Sequence, residues 1–215
     1  MAGPQNILTL DASVIRAAEK HLKQVDPELG AVIKAAEPCA MHERRQSLFD
    51  ALASSIVGQQ LSTRAAASIF TRLRGLAGTR QLTAAAIAAT TTPALRAVGL
   101  SQAKTKAIQT LSAAVLDGRL SLRSIARRPD DEVIAALTQL PGIGLWTAQM
   151  FLMFALKRAD VLSPGDLGLR RGLQILDNLP EEPEPQSFLN RAEIWRPYRS
   201  VASWYLWRVA EQGRS

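Results

Sequence analysis

Cysteine and histidine are nearly absent from this chain. It holds one cysteine, Cys39, and two histidines, His21 and His42. A single thiol excludes an intrachain disulfide, a thiolate zinc site and a protein-ligated iron–sulfur cluster. Two imidazoles are too few for a histidine-built catalytic zinc. No apolar run is long enough to span a bilayer, so no membrane partner is expected. The opening stretch "MAGPQNILTLDASV" lacks the basic-then-apolar pattern of an export signal. The default expectation is a cytoplasmic, nucleoid-associated protein. Runs of β-branched residues are scarce, no strand pattern stands out, and no repeat of fixed period is visible.

What is present points to a folded, basic, helical protein. Hydrophobic residues make up 47% of the 215, ample for a core in one large domain or two small lobes. Lys and Arg number 26 against 19 acids, a net charge of +7. Such a balance favours a polyanionic partner, most often nucleic acid. Pro and Gly punctuate the chain every 12 to 20 residues, which delimits about ten helices. Asp11 opens one, Asp26 with Pro27 another, and Ser101 a third, while Gly99 and Gly118 close helices. "HERRQSLFDALASSIVGQQ" carries Leu48, Leu52, Ile56 and Val57 at helical period, and "LSTRAAASIFTRLRGL" begins afresh after "GQQ". "PEEPEPQ", 180–186, reads as an acidic surface loop. Pro197 is placed near the first position of the last helix.

The stretch "TQLPGIGLWTA" is the most telling. One helix ends near Gln139 and the next begins near Gly144. Gly142 and Gly144 strip side chains from the connection, exposing backbone N–H groups where the helix dipole favours an anion such as a phosphate. The carbonyls of Thr138, Leu140 and Ile143 point away from those amides and can hold a monovalent cation, Na+ or K+. The plain alternative is a tight turn between packed helices. Asp166 follows Gly165 and precedes a helix, where an aspartate commonly serves as N-cap.

"SSIVGQQLS", "VGLSQAKTKAI", "LPGIGLWTA", "VLSPGDLGLRR" and "WRPYRSVASWYLW" occur in that order. In them the chain resembles the helix-hairpin-helix–Gly/Pro–Asp superfamily of DNA glycosylases, and within it the 3-methyladenine-DNA glycosylase II (alkylpurine glycosylase) family. The resemblance runs from about Ser47 to Trp207. It implies an all-α fold of two interleaved helical lobes with a cleft between them and no N-terminal β domain. Residues of about 47–120 would form the middle lobe; about 1–46 and 121–215 would form the other, with the hairpin at 138–148.

The resemblance also implies roles. Asp166 falls where the family has its catalytic acid. Trp146 and Trp207 line the base pocket, with Met150 one turn beyond Trp146 and Leu167 beside the acid. Gly142, Gly144 and Thr147 grip DNA at the hairpin. Gln59, Gln60 and Leu61 are candidates to fill the gap left by a flipped nucleotide, although the same turn reads equally as a helix cap. Lys104, Lys106, Arg170 and Arg171 are candidate phosphate contacts. Members of the superfamily that also nick DNA carry a lysine where this chain has Trp146, and Lys157, three turns further along, should not reach. The expectation is therefore a monofunctional enzyme, acting as a monomer without a required cofactor. It would release alkylated bases of the 3-methyladenine and 7-methylguanine type from double-stranded DNA. The alternatives are a non-catalytic DNA-binding module, or a superfamily member for oxidised, deaminated or mismatched bases.

Overall fold

The computed structural model describes residues 7–213; the outermost residues of the lobe expected at 1–46 and 121–215 lie outside them. Among the described residues there are thirteen α-helices: α1 Ala12–Val25, α2 Pro27–Ala35, α3 Leu48–Gly58, α4 Thr63–Leu76, α5 Ala84–Ala88, α6 Thr92–Ala97, α7 Gln102–Leu116, α8 Leu122–Ile125, α9 Asp130–Thr138, α10 Leu145–Phe154, α11 Leu167–Leu176, α12 Pro185–Arg191 and α13 Arg199–Gln212. Among the described residues the one β feature is an isolated bridge, Thr9 to Arg158. The all-α expectation holds. The helices beyond those expected are the short α8 and α12.

Local chemistry starts most of these helices. Asp11 accepts the N–H groups of Ser13 (2.7 Å) and Val14 (2.8 Å), and Asp26 that of Leu29 (3.0 Å). Ser62 caps α4 and Ser101 caps α7 in the same way. Each such cap supplies about 1 kcal/mol by satisfying a helix-end donor. Pro197 differs from expectation. The last helix begins two residues later, at Arg199, because residues Ala192–Trp195 first form a 3-10 turn that buries Trp195 completely.

The chain divides into two compact units, 45–156 and 1–44 with 157–215. The sequence reading closed the middle lobe near 120 and gave the hairpin to the other lobe. The boundary instead falls after Leu156, because α9 and α10 pack on α8 and α3.

In the 45–156 unit, α3 is central, with Leu52, Ala53, Ile56 and Val57 fully buried. Burial of each large aliphatic chain contributes roughly 1.5–3 kcal/mol. Asp50 is buried on the same helix. It accepts the Leu82 N–H (2.7 Å) and the Arg74 guanidinium, which fastens α4 and the segment before α5 to α3.

In the other unit, Asp26 is the hub. It accepts Arg191 Nη2 and Trp195 Nε1, both at 2.7 Å, besides capping α2. Burial pushes its carboxyl pKa up. The Leu29 amide, the Trp195 indole and the Arg191 guanidinium outweigh that and hold it below the usual carboxylate range. Arg191 also reaches Asp177 at the end of α11 (2.8 Å), and Tyr205 on α13 donates to Glu19 on α1 (2.6 Å). Helices α11 and α13 cross closely in this unit, at Gly172. Among the described residues no helix is long and apolar enough to cross a membrane, and no cluster of metal-ligating side chains occurs.

Candidate functional site

The hairpin belongs to the 45–156 unit. Gly142 has φ +85°, and a Cβ placed on it would lie 2.5 Å from Ala107 Cβ on α7. Backbone conformation and packing therefore both demand glycine there. Gly144 is different. Its φ is −92° and an added Cβ would meet nothing within 4 Å, so neither backbone conformation nor packing demands glycine. It is the N-cap of α10 and contributes no side-chain cap, so the positive end of the helix dipole is presented to whatever approaches. Glycine is also a better N-cap than alanine, so the helix start itself favours it there. Gly144→Ala should lower stability by about 1 kcal/mol or less, since alanine is the poorer N-cap, and weaken duplex binding about tenfold, roughly 1.4 kcal/mol, by holding a phosphate off the backbone. Fluorescence anisotropy with a labelled duplex measures this, and undiminished affinity would remove Gly144 from the interface.

The turn after α3 is tied to that hairpin. Gln59 Nε2 donates to Gly142 O and to Thr147 Oγ1, each at 2.9 Å. Lys104 Nζ donates to Val57 O (2.8 Å) and Gln59 O (2.7 Å), and burial lowers its pKa. Three expectations change. Gln59 is a staple between turn and hairpin rather than a wedge. The Thr147 side chain is 1% exposed and engaged by Gln59, so it does not face DNA. The Lys104 ammonium caps the carbonyl end of α3 instead of meeting a phosphate. Gln60, at φ +54° and exposed, stands at the tip of the turn beside exposed Leu61. Lys106 is exposed on α7. Gln59→Ala should lower stability by about 1–2 kcal/mol through loss of two hydrogen bonds, read by urea unfolding; an unchanged midpoint would show that the staple is not formed.

Trp146 is half-buried near the head of α10, within 3.9 Å of where a Gly58 side chain would start. Met150 is only 4% exposed, a core position rather than an open pocket wall. Its helix is apolar on every side, and the turn containing position 150 faces inward. A cavity of about 350 Å³ in this unit, lined by Arg119, Leu120, Gln139 and Leu140 among others, contains no carboxylate and shares only Leu140 with the candidate residues. The Leu140 carbonyl accepts the Ile143 N–H at 3.0 Å and retains a second lone pair.

Asp166, Leu167 and Trp207 stand together on the other unit. The Ser163–Asp166 turn delivers the acid to the head of α11, where Oδ1 accepts the Leu169 N–H (2.8 Å). The cap reading is thus correct. The same oxygen also accepts the indole N–H of Trp207 at 3.0 Å, and the acid remains half-exposed. Leu167 next to it is 67% exposed, a large apolar side chain at the surface beside a carboxylate. Arg170 departs from expectation. Its Nε donates to Pro183 O (2.8 Å) and it lies near Glu184, so it pins the acidic loop to α11. Arg171 reaches Gln174. Lys157 is not on the hairpin's helix, which ends at Phe154. It lies in the unit with Asp166, and its ammonium donates to His42 O. Cys39 is a buried free thiol, its pKa pushed up to about 12 by burial.

Sequence reasoning missed the staple, the indole–carboxylate bond and Gly168. The only signal for the last was the pair Gly168 and Gly172, four apart and so on one helix face.

An all-helical chain with such a hairpin and a later helix headed by an aspartate defines a helix-hairpin-helix protein. The chain belongs to the HhH-GPD superfamily of base excision DNA repair proteins, whose pattern matches residues 53–197. It is 32% identical to DNA-3-methyladenine glycosylase 1 of Schizosaccharomyces pombe over 90% of this chain and 87% of that one. The structure of the S. pombe 3-methyladenine DNA glycosylase Mag1 in complex with abasic DNA matches with a TM-score of 0.82 at 32% identity, over 89% of this chain and 95% of that one. A DNA-3-methyladenine glycosidase from Bacillus halodurans matches with 0.75 at 33% identity, over 98% and 94%.

Proposed function

We propose that this protein is a DNA glycosylase that excises alkylated bases from double-stranded DNA and leaves an abasic site. The observation that carries the reading is the Asp166 carboxylate, held at the head of α11 by two N–H donors in a chain of this family.

The chemistry follows from the charge. Breaking the bond between C1′ and the base nitrogen sends the electron pair out with the base and leaves positive charge on the sugar. A fixed carboxylate stabilises that charge and orients the water that adds to C1′. A base alkylated at a ring nitrogen is already cationic. It leaves as a neutral molecule, so one carboxylate suffices where O-glycosidases use two. The base must first leave the stack, and the exposed Gln60 and Leu61 would fill the gap. Gly142, Gly144 and the head of α10 hold the phosphate, with Lys106 nearby on α7. The carbonyls of Thr138, Leu140 and Ile143 suit a monovalent cation, which would supply positive charge opposite the phosphate. Trp207 offers the indole face a cationic purine stacks on. No lysine stands at position 146 to form a Schiff base with the sugar, so the reaction ends at base release.

Incubation with duplex DNA treated with a methylating agent tests this. Free 3-methyladenine and 7-methylguanine should appear by chromatography, with strands breaking only after heat or alkali. No released base refutes the activity, strand cleavage by the protein refutes its monofunctional form, and preferential release of 8-oxoguanine reassigns the substrate.

A further inference from the structure

Gly168 is the second residue of α11, in ordinary helical backbone, where alanine would be the better helix former. Its surroundings explain the glycine. A Cβ built there would lie 3.0 Å from Trp207 Cδ1, 3.2 Å from Trp207 Nε1 and 3.1 Å from Asp166 Oδ1. Those atoms belong to the 3.0 Å bond in which the indole N–H donates to the carboxylate. The site of the missing side chain is therefore wedged against that bond.

We propose that Gly168 is a positioning residue for Asp166: its bare Cα lets the Trp207 indole lie against the head of α11 and fix the carboxylate. The proposal rests on Asp166 being the acid of the reaction. The Leu169 N–H holds Oδ1 from within α11, and the Trp207 indole brings a second donor to the same oxygen from α13. The two helices are in close contact one turn on as well, where the Leu206 carbonyl oxygen lies 2.2 Å from a Cβ added at Gly172. A methyl group at position 168 would press on the indole and the carboxylate oxygen at once and shift them by a few tenths of an ångström, and small misplacements of a reacting group slow chemistry steeply.

A double-mutant cycle tests it, with Gly168→Ala and Trp207→Phe, which keeps a flat ring but lacks the N–H. Each single variant should slow single-turnover base release about tenfold, the loss of one hydrogen bond to a charged group. Affinity for a duplex with an abasic-site analogue should stay within about twofold. The double variant should be no slower than Trp207→Phe alone, since the bond that Gly168 protects is already gone. Multiplying losses, a wild-type rate in Gly168→Ala, or a loss confined to affinity overturns the proposal. If Gly168→Ala melts below the assay temperature, the double variant must recover stability as the smaller ring relieves the contact; no recovery overturns it equally. Asp166→Asn in the same assay separates the levels. Full rate there refutes the acid assignment itself, whereas loss there without loss in Gly168→Ala refutes only the positioning role.

Discussion

Asp166→Asn should abolish base release from methylated duplex DNA, by about three orders of magnitude, while the protein still folds and binds DNA. The substitution is nearly isosteric. Asparagine is as good an N-cap as aspartate, so its side-chain oxygen can keep the Leu169 N–H bond and still accept the Trp207 indole. What disappears is the negative charge. In the proposed reaction that charge is needed only as positive charge grows on the sugar, so the loss falls on the chemical step and not on binding. Single-turnover release of 7-methylguanine, with affinity for an abasic-site duplex measured alongside, gives the answer. A variant that releases the base at the wild-type rate would leave Asp166 as a cap alone and assign the chemistry to another group.

Gly172→Ala should be the most damaging single methyl group in the unit that carries Asp166. Its Cβ would lie 2.2 Å from the Leu206 carbonyl oxygen, 2.8 Å from its carbon and 3.1 Å from its Cα. These are backbone atoms of α13 and cannot rotate aside as a side chain would. Helices α11 and α13 must move apart. The core beneath them, with Leu169, Leu173, Leu206 and Val209 buried, then opens. Overpacking of this kind costs about 3 kcal/mol or more, a drop of roughly 6–12 °C in melting temperature. Base release should fall with it, because α11 holds the acid and α13 holds the indole that touches it. Calorimetry decides the point: a melting temperature within about 2 °C of wild type would mean that the crossing is looser than its geometry implies.

The difference between legible and illegible features follows from how far each side chain reaches. Caps at Asp11, Asp26, Ser62 and Ser101 act on amides two or three residues away, so a short stretch of sequence contains both partners. Gly142 was readable for a similar reason, since a tight turn announces itself locally. Long polar side chains were not readable in this way. The sequence shows that Lys104, Arg170 and Gln59 can donate, but not that carbonyls at Val57, Pro183 and Gly142 receive them. Surplus positive charge suggested phosphate for the two cations, and the folded chain spends them internally. Met150 was equally ambiguous, because an all-apolar helix does not declare which side faces a pocket. The break between the units was misplaced from 156 to about 120, since the sequence has no mark for which neighbours α9 and α10 choose.

By itself, the sequence determined a basic, helical protein, its helix starts, its hairpin and the aspartate at position 166, because those depend on composition and on chemistry within a few residues. Only the tertiary structure decided that Trp207, 41 positions from Asp166, donates to it, and that Gly168 and Gly172 make room for this. Such contacts depend on how closely two helices approach, a distance set by the packing of the whole unit.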